Sequence, residues 1–334
     1  MAAPRILVIP GGTAINAVAL ANASIHKLVE LYEERQADPN HPAPHTVVFL
    51  RDPALVPPAT LRGSAATPEQ AFPEEDYPGL ADRITNDPHF LDGVDLVIAT
   101  SGSSVGKPRL VGLSTDALIA SAKATELALD GPGRWILALP THHIAGAMVL
   151  LRAAVAETNP QVVDTTQGFD PAALLPAIAG VTQDQMPGYL SLVPTQLVQC
   201  LDAGDQVIDA LRSLSAILVG GAAISQNLLQ RALDAGLKVR TTYGMTETSG
   251  GCVYDGEPDD ALPGSGEPLL RGGRPPLAGL GRHGHHPGLG QGGSERPRGR
   301  RHHLGRPVDR AGAPAPRGAL LRGHFGRVDP GHSR

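Results

Sequence analysis

Apolar positions along this chain switch between a strand-like and a helix-like period, and the switches mark its elements. Residues 1–10 form a short strand-like run, and the spacing that follows predicts an amphipathic helix over roughly 14–34. Thr46–Leu50 is a second strand-like run. The rest of 38–90 is rich in Pro, Asp and turn residues and is expected to be mostly loop. From Asp95 the pattern becomes regular. Residues 96–100 are an apolar run that ends in a Gly/Ser-rich turn, which suits a buried strand. Ser114 or Thr115 can cap a helix to about Leu129, Trp135–Leu139 reads as a buried strand, and Ala147–Glu157 as a helix. Ala216–Val219 is a strand stopped by Gly220-Gly221. Ser225 caps a helix that Gly236 ends, and Lys238–Thr242 is the next strand. This alternation predicts an α/β fold with one or more layered, largely parallel sheets and flanking helices. Ligands on such sheets bind at the carboxyl ends of strands, and every polar cluster described below falls at such an end.

Near residue 260 the pattern stops. Two domains are the soft expectation for 334 residues, but 261–334 does not read as a second folded one. From Pro263 onward there are 18 Gly, 13 Arg, 10 Pro and 7 His in 72 residues, without hydrophobic periodicity. Such a segment cannot bury enough apolar surface to offset its ordering entropy, so it is expected to be disordered behind a folded domain at 1–260. The net charge of −5 hides a split here. The tail carries +9, from 13 Arg and no Lys against 4 acids, which leaves −14 for the rest. A nucleic-acid-binding tail would need aromatic or motif context, and Phe325 is its one aromatic, so no nucleic-acid partner is expected. A metal-binding tract of His283, His285, His286, His302 and His303 and a true disordered extension are further readings. A shifted reading frame accounts for more, namely the Gly/Arg/Pro/His richness, the missing Lys and the abrupt onset.

Cys200 and Cys252 match no disulfide framework or metal spacing, which points to a reducing cytoplasm. The apolar run at the N-terminus is too brief for a signal peptide. No apolar run reaches the roughly 18 residues of a membrane-spanning helix. Nothing in the sequence bears on oligomeric state.

Two clusters carry most of the chemistry. Thr100-Ser101-Gly102-Ser103-Ser104-Val105-Gly106-Lys107-Pro108-Arg109 can curl so that successive N–H groups cradle phosphate oxygens, with hydroxyls and cations adding donors and charge. It is not a Walker A loop, because three residues rather than four separate Gly102 from Gly106-Lys107 and Pro108 follows. Taken alone it also reads as an ordinary Ser/Gly turn. In Tyr243-Gly244-Met245-Thr246-Glu247-Thr248, placed after a strand, Tyr243 offers an aromatic face for a base and Thr246 a hydroxyl for a phosphate. Glu247 offers a hard oxygen to Mg²⁺, which keeps several waters and one or two carboxylates. The third cluster, Gly220-Gly221-Ala222-Ala223, is weaker and permits close approach of a flat ring.

In this order the three clusters resemble the acyl-adenylate-forming superfamily of acyl- and aryl-CoA ligases, luciferases and peptide-synthetase adenylation domains. Leu139–Gly146, Leu151-Arg152 and Thr248–Gly256, with the short approach to the phosphate loop, are similar to its o-succinylbenzoate–CoA ligase family of menaquinone biosynthesis in compact form. The likeness is good over about 95–257 and loose before it. It implies a nucleotide-handling region from Asp95 to Gly256 that uses ATP, Mg²⁺, coenzyme A and a small carboxylic acid. Thr246 and Glu247 become catalytic candidates, with Glu247 as the Mg²⁺ ligand. Thr100, Ser101, Gly102, Ser103, Ser104, Gly106, Lys107 and Arg109 would hold phosphates, and Gly220, Gly221, Ala222, Tyr243 and Gly244 would hold adenine. His143 would border the acyl pocket and also counts as catalytic. Arg152 is the candidate partner for a substrate carboxylate, with Ser249 and Gly250 beside it. The likeness has two departures. The loop has one extra residue, most simply Val105, and Arg109 stands for the family's Lys. The family's mobile C-terminal domain and its Lys find no match, since no Lys follows Lys238, and Asp309 and Asp329 sit in no recognisable context. Two rivals therefore stand beside a ligase for o-succinylbenzoate. One is a ligase for another aryl or fatty acid. The other is a catalytically impaired remnant that only binds ATP or acyl-adenylate.

Overall fold

The computed structural model describes residues 4–38, 45–56, 65–100, 109–258 and 267–268. In chain order the elements are β1 (Arg5–Pro10), α1 (Ile15–Ala37), β2 (Thr46–Arg51), α2 (Pro68–Ala71), α3 (Leu80–Asn86), β3 (Leu96–Ala99), β4 (Leu110–Leu113) and α4 (Thr115–Ala128). There follow β5 (Arg134–Leu137), α5 (Ile144–Val155), β6 (Gln161–Val162), α6 (Leu174–Val181), β7 (Gly188–Leu192), α7 (Pro194–Asp202) and α8 (Asp205–Arg212). The series closes with β8 (Ala216–Val219), α9 (Gln226–Asp234), β9 (Val239–Met245), β10 (Gly250–Tyr254), β11 (Glu257–Pro258) and β12 (Glu267–Pro268).

These strands form two sheets. The first has the order β1-β2-β3-β4-β12, and the second β11-β10-β9-β8-β7-β5-β6. Parallel pairing links β1 to β2 and β2 to β3 in the first sheet, and β6 through β9 in the second. Both sheets turn antiparallel at one side, through β4 and β12 in the first and β10 and β11 in the second. The expected α/β class therefore holds, and the layered sheets number two among the described residues.

Strand alternation sets the layers. Along β3, Leu96 and Ile98 face one apolar cluster and Val97 the opposite one, and Val47/Val48 and Phe49/Leu50 split in the same way on β2. The cluster between the sheets holds α1, α4 and α5, including Ile25, Leu118 and Leu150. Helices α6 to α9 cover the outer face of the second sheet, against Ile136, Leu190 and Ile217. The short α2 and α3 cover the outer face of the first. Those two helices are short elements within the stretch 38–90 that was expected to be mostly loop. Phe72 stacks on Phe49 at 5.3 Å and Tyr77 meets both rings edge-on. Packing holds helices that are too short to be stable alone.

Several ends behave as their sequences suggest. Ser114 and Ser225 cap α4 and α9 through bonds to Ala117 N–H and Leu228 N–H. Asp255 and Gly256 take φ of 51° and 87°, the left-handed pair of a two-residue hairpin, between β10 and β11. Other boundaries move. Helix α5 starts at Ile144, three residues before the expected start, because β5 ends at Leu137 and leaves Ala138–His143 as its approach. Strand β9 runs on through Tyr243 to Met245, so the Tyr-Gly-Met segment lies within a strand rather than after one.

Of the expected phosphate loop, Ser101, Gly102, Ser103, Ser104, Gly106 and Lys107 lie outside the described residues. So does 261–334 apart from 267–268, and with it the readings of that tail as disordered, nucleic-acid-binding or metal-binding. No described helix is long and apolar enough to cross a membrane.

Replacing Leu150, which is fully buried between the sheets, by Ala should cost about 2–5 kcal/mol in urea unfolding. Leu127→Ala, at a position 80% exposed, should stay within about 0.5 kcal/mol. Equal losses at the two positions would remove the central helix layer as the main store of stability.

Candidate active site

Three cavities meet at Gly221 and Gly244, which line all of them. The largest, about 700 Å³, runs between the two sheets. Thr100 and Arg109 come from the β3–β4 connection, His143 and Ile144 from the start of α5, and Thr246 and Glu247 from the turn after β9. A second, of about 460 Å³, lies over the ends of β8 and β9, between Gly221-Ala222-Ala223 and Tyr243. The third, about 90 Å³, reaches inward between Met148, Arg152, Ser191, Leu218 and Thr242.

Glycine makes this meeting possible. A Cβ on Gly244 would run into the Gly250 carbonyl on β10, and one on Gly220 would lie 2.7 Å from Thr242. Tyr243 is 65% exposed and presents its ring to the second cavity. Thr246 is buried, and its carbonyl accepts from Ser249 N–H at 3.0 Å. The two described ends of the Ser/Gly-rich loop are joined by Thr100 N–H donating to the Arg109 carbonyl at 2.7 Å. Thr100 Oγ1 is buried without a partner. The Arg109 guanidinium lies 3.6 Å from the Glu247 carboxylate. No group of three His, Cys, Asp or Glu suited to a metal exists among the described residues. A lone carboxylate such as Glu247 suits a Mg²⁺ that arrives on phosphates and keeps its waters, not a caged ion.

Arg152 is only 4% exposed. Its guanidinium lies over the Trp135 ring at 5.1 Å, and its Nε–H donates to Thr125 Oγ1 at 3.1 Å. None of the ion pairs among the described residues includes it. A guanidinium stays charged at any ordinary pH, so this is a buried cation at a cavity wall without a described counterion.

His143 precedes the first turn of α5 and lines the largest cavity. His142 packs against Gly11, its ring 4.3 Å from that of His143, with Nδ1 buried and unpartnered. Burial lowers both imidazole pKa values. The neighbouring His143 lowers His142 further, and Asp52 opposes the shift at both.

The structure thus brings Thr100, Arg109, His143, Arg152, Gly220, Gly221, Ala222, Tyr243, Gly244, Thr246, Glu247 and Gly250 to one cleft. Ser249 departs from the expectation. It is 1% exposed, lines none of the three cavities, and takes φ 56° to turn the chain into β10. Sequence reasoning passed over Ser191 and Gln196 around β7, and Thr242. The hydroxyls of Ser191 and Thr242 are buried and unpartnered, and Gln196 donates to the Ala138 carbonyl at 3.0 Å. The run Tyr189-Leu-Ser-Leu-Val-Pro, a strand ended by proline, was the available signal.

Comparison with known proteins matches residues 8–275 to the family described as AMP-binding enzyme. The chain is 43% identical over 171 residues to a probable 2-succinylbenzoate–CoA ligase of Mycobacterium tuberculosis, covering 51% of this chain and 44% of that protein. It is 32% identical over 160 residues to 2-succinylbenzoate–CoA ligase of Staphylococcus epidermidis, covering 47% of this chain and 31% of that protein. The chain thus spans less than half the length of these curated relatives. Among solved structures it is similar to o-succinylbenzoate coenzyme A synthetase from Bacillus subtilis in complex with ATP and magnesium ion. The TM-score is 0.47 at 20% identity, with 80% of this chain and 63% of that one covered.

Both histidines should titrate below the usual 6.5 by NMR. The unfolded chain then takes up the protons first as pH falls through that value, so stability declines from about pH 6.5 downward. His142→Gln or His143→Gln should flatten that decline in urea titrations at successive pH values. Resonances that titrate at or above 6.5, or a slope unchanged in both variants, would show that burial does not govern this pair.

Proposed function

The chain belongs to the AMP-binding enzyme family, and from that premise we propose that it carries the nucleotide and acid sites of an AMP-forming acid–CoA ligase acting on 2-succinylbenzoate in menaquinone biosynthesis. One observation carries the reading. A cleft with a lone carboxylate, Glu247, in its wide part ends inward at a buried cation, Arg152, that no described acid neutralises. A dicarboxylic acid fits that charge pattern. One carboxylate meets Arg152 while the other is left near Glu247 and Thr246 for activation. The names of the relatives point to the same acid.

In the first half-reaction a carboxylate oxygen of the acid attacks the α-phosphorus of ATP, and the bond to pyrophosphate breaks. In the second, the thiol of coenzyme A gives up its proton to solvent and attacks the acyl carbon, and AMP leaves with the electron pair of the C–O bond. Tyr243 and Gly220-Gly221-Ala222 with Gly244 form the walls for adenine. Thr246 offers its hydroxyl to the phosphates. The loop from Thr100 to Arg109, including Ser101, Gly102, Ser103, Ser104, Gly106 and Lys107, supplies donors and positive charge to the leaving pyrophosphate. Glu247 would hold Mg²⁺, which when bound neutralises phosphate charge. His143, kept neutral by burial, borders the path of the acyl group. Gly250 borders the acid's pocket beside Met148. A cytoplasmic location accompanies this reading, and both cysteines are free thiols.

Mg²⁺ should strengthen ATP binding to the full chain, and Glu247→Gln should abolish that gain while sparing metal-free binding. Acid-dependent pyrophosphate exchange should fall by a factor on the order of 10². An unchanged Mg²⁺ effect and unchanged exchange in the variant would sink the assignment of Glu247. Nucleotide binding with neither exchange nor thioester formation in the unaltered chain would assign it a binding role alone.

A further inference from the structure

The hydrogen bonds behind Arg152 explain how a buried cation can stay both fixed and unspent. On α4, Thr125 Oγ1 is 2.9 Å from the carbonyl of Ser121, one turn earlier, and donates its single proton there. Its lone pairs are then free to accept. Arg152 Nε–H takes one at 3.1 Å, and the Tyr254 phenol, 2.7 Å away, donates to the other. The Gly251 carbonyl, at 3.4 Å, is a longer alternative acceptor for the Tyr254 proton, and in either arrangement the Tyr254 oxygen keeps a lone pair whose field favours the charged Arg152 guanidinium. The Trp135 ring covers the guanidinium as well.

Every described partner of this cation is neutral. A carboxylate in the place of Tyr254 would have held the guanidinium as firmly, but would have cancelled the charge. Neutral oxygens orient the fork and leave its full charge to whatever enters the small cavity. Tyr254 is also well placed to link this end of the cleft to the nucleotide end. It closes β10, which begins directly after the turn that carries Thr246 and Glu247. Helix α4 grips the segment twice, four residues apart on one face, through Ser121 Oγ to the Ser249 carbonyl at 2.9 Å and through Thr125 to Tyr254.

We propose that Tyr254 and Thr125 are positioning residues for Arg152, a neutral hydroxyl pair that aims the buried guanidinium into the acid pocket and so sets the preference for an acid bearing a second carboxylate. The inference rests on the assignment of Arg152 to the acid.

The test uses the full chain in calorimetric titrations with two probes, 2-succinylbenzoate and its analogue without the ring carboxylate. The unaltered chain should prefer the diacid, and Arg152→Met should abolish that preference. Tyr254→Phe keeps the ring and Thr125→Val keeps the side-chain shape. Each should reduce diacid affinity on the order of tenfold, as expected for a charge-assisted hydrogen-bond contribution. Affinity for the analogue and for ATP should be unchanged, and Thr125→Ser should recover the preference. If Arg152→Met keeps the preference, or the unaltered chain has none, the assignment of Arg152 fails. If Arg152→Met loses it while Tyr254→Phe and Thr125→Val retain it, the positioning role fails and the assignment stands. Equal weakening of diacid, analogue and ATP by both variants would reduce the pair to general structural support and overturn the inference.

Discussion

Two sheets share a single layer of helices, and the site depends on that sharing. Helices α1, α4 and α5 join both sheets in one apolar cluster around Ile25, Leu118 and Leu150, and α5 is its most deeply covered member. Every residue of α5 from Gly146 to Ala154 is buried, so that stretch cannot turn a charged residue to water. Arg152 on α5 must therefore be solvated by the protein, and Thr125, Tyr254 and Trp135 do this from α4, β10 and β5. The same layer brings the β3–β4 connection of one sheet to the ends of β8 and β9 of the other. Arg109 and Glu247 come within 3.6 Å although 138 positions separate them in sequence.

Chemistry is divided along the cleft by burial. The outer part holds charges that water and phosphate can reach. There Arg109 is about half exposed, and its pairing with Glu247 at 3.6 Å is of the weak, solvent-screened kind. The inner part holds Arg152, where a charge without an anion costs most and gains most from receiving one. Between them lie Gly221 and Gly244, and Gly244 lets β9 approach β10 where any Cβ would collide with the Gly250 carbonyl.

Much of this was legible in the sequence where local chemistry is strong. Ser114 and Ser225 marked their helices, the run 96–100 its strand, and Tyr243–Glu247 its place along the cleft. The short helices α2 and α3 were not legible. Phe72, Tyr77 and Leu80 look like isolated apolar residues among Pro and Asp until they meet Phe49 on β2. Ser249 was misplaced for a related reason. It sits beside motif residues in sequence, but its left-handed turn directs it into the interior rather than the cleft.

The sequence by itself determined the alternating α/β order, the caps, and most of the side chains that come to line the cleft. These follow from periods, backbone propensities and side-chain chemistry, which act over a few residues. Only the tertiary structure decided that two sheets form and that Gly221 and Gly244 join three cavities into one cleft. It alone decided that Arg152 is buried without a described counterion, and that Thr125 and Tyr254, 129 positions apart, meet at 2.7 Å behind it. Those outcomes depend on which faces pack together. Packing couples residues too distant along the chain for any local pattern to record.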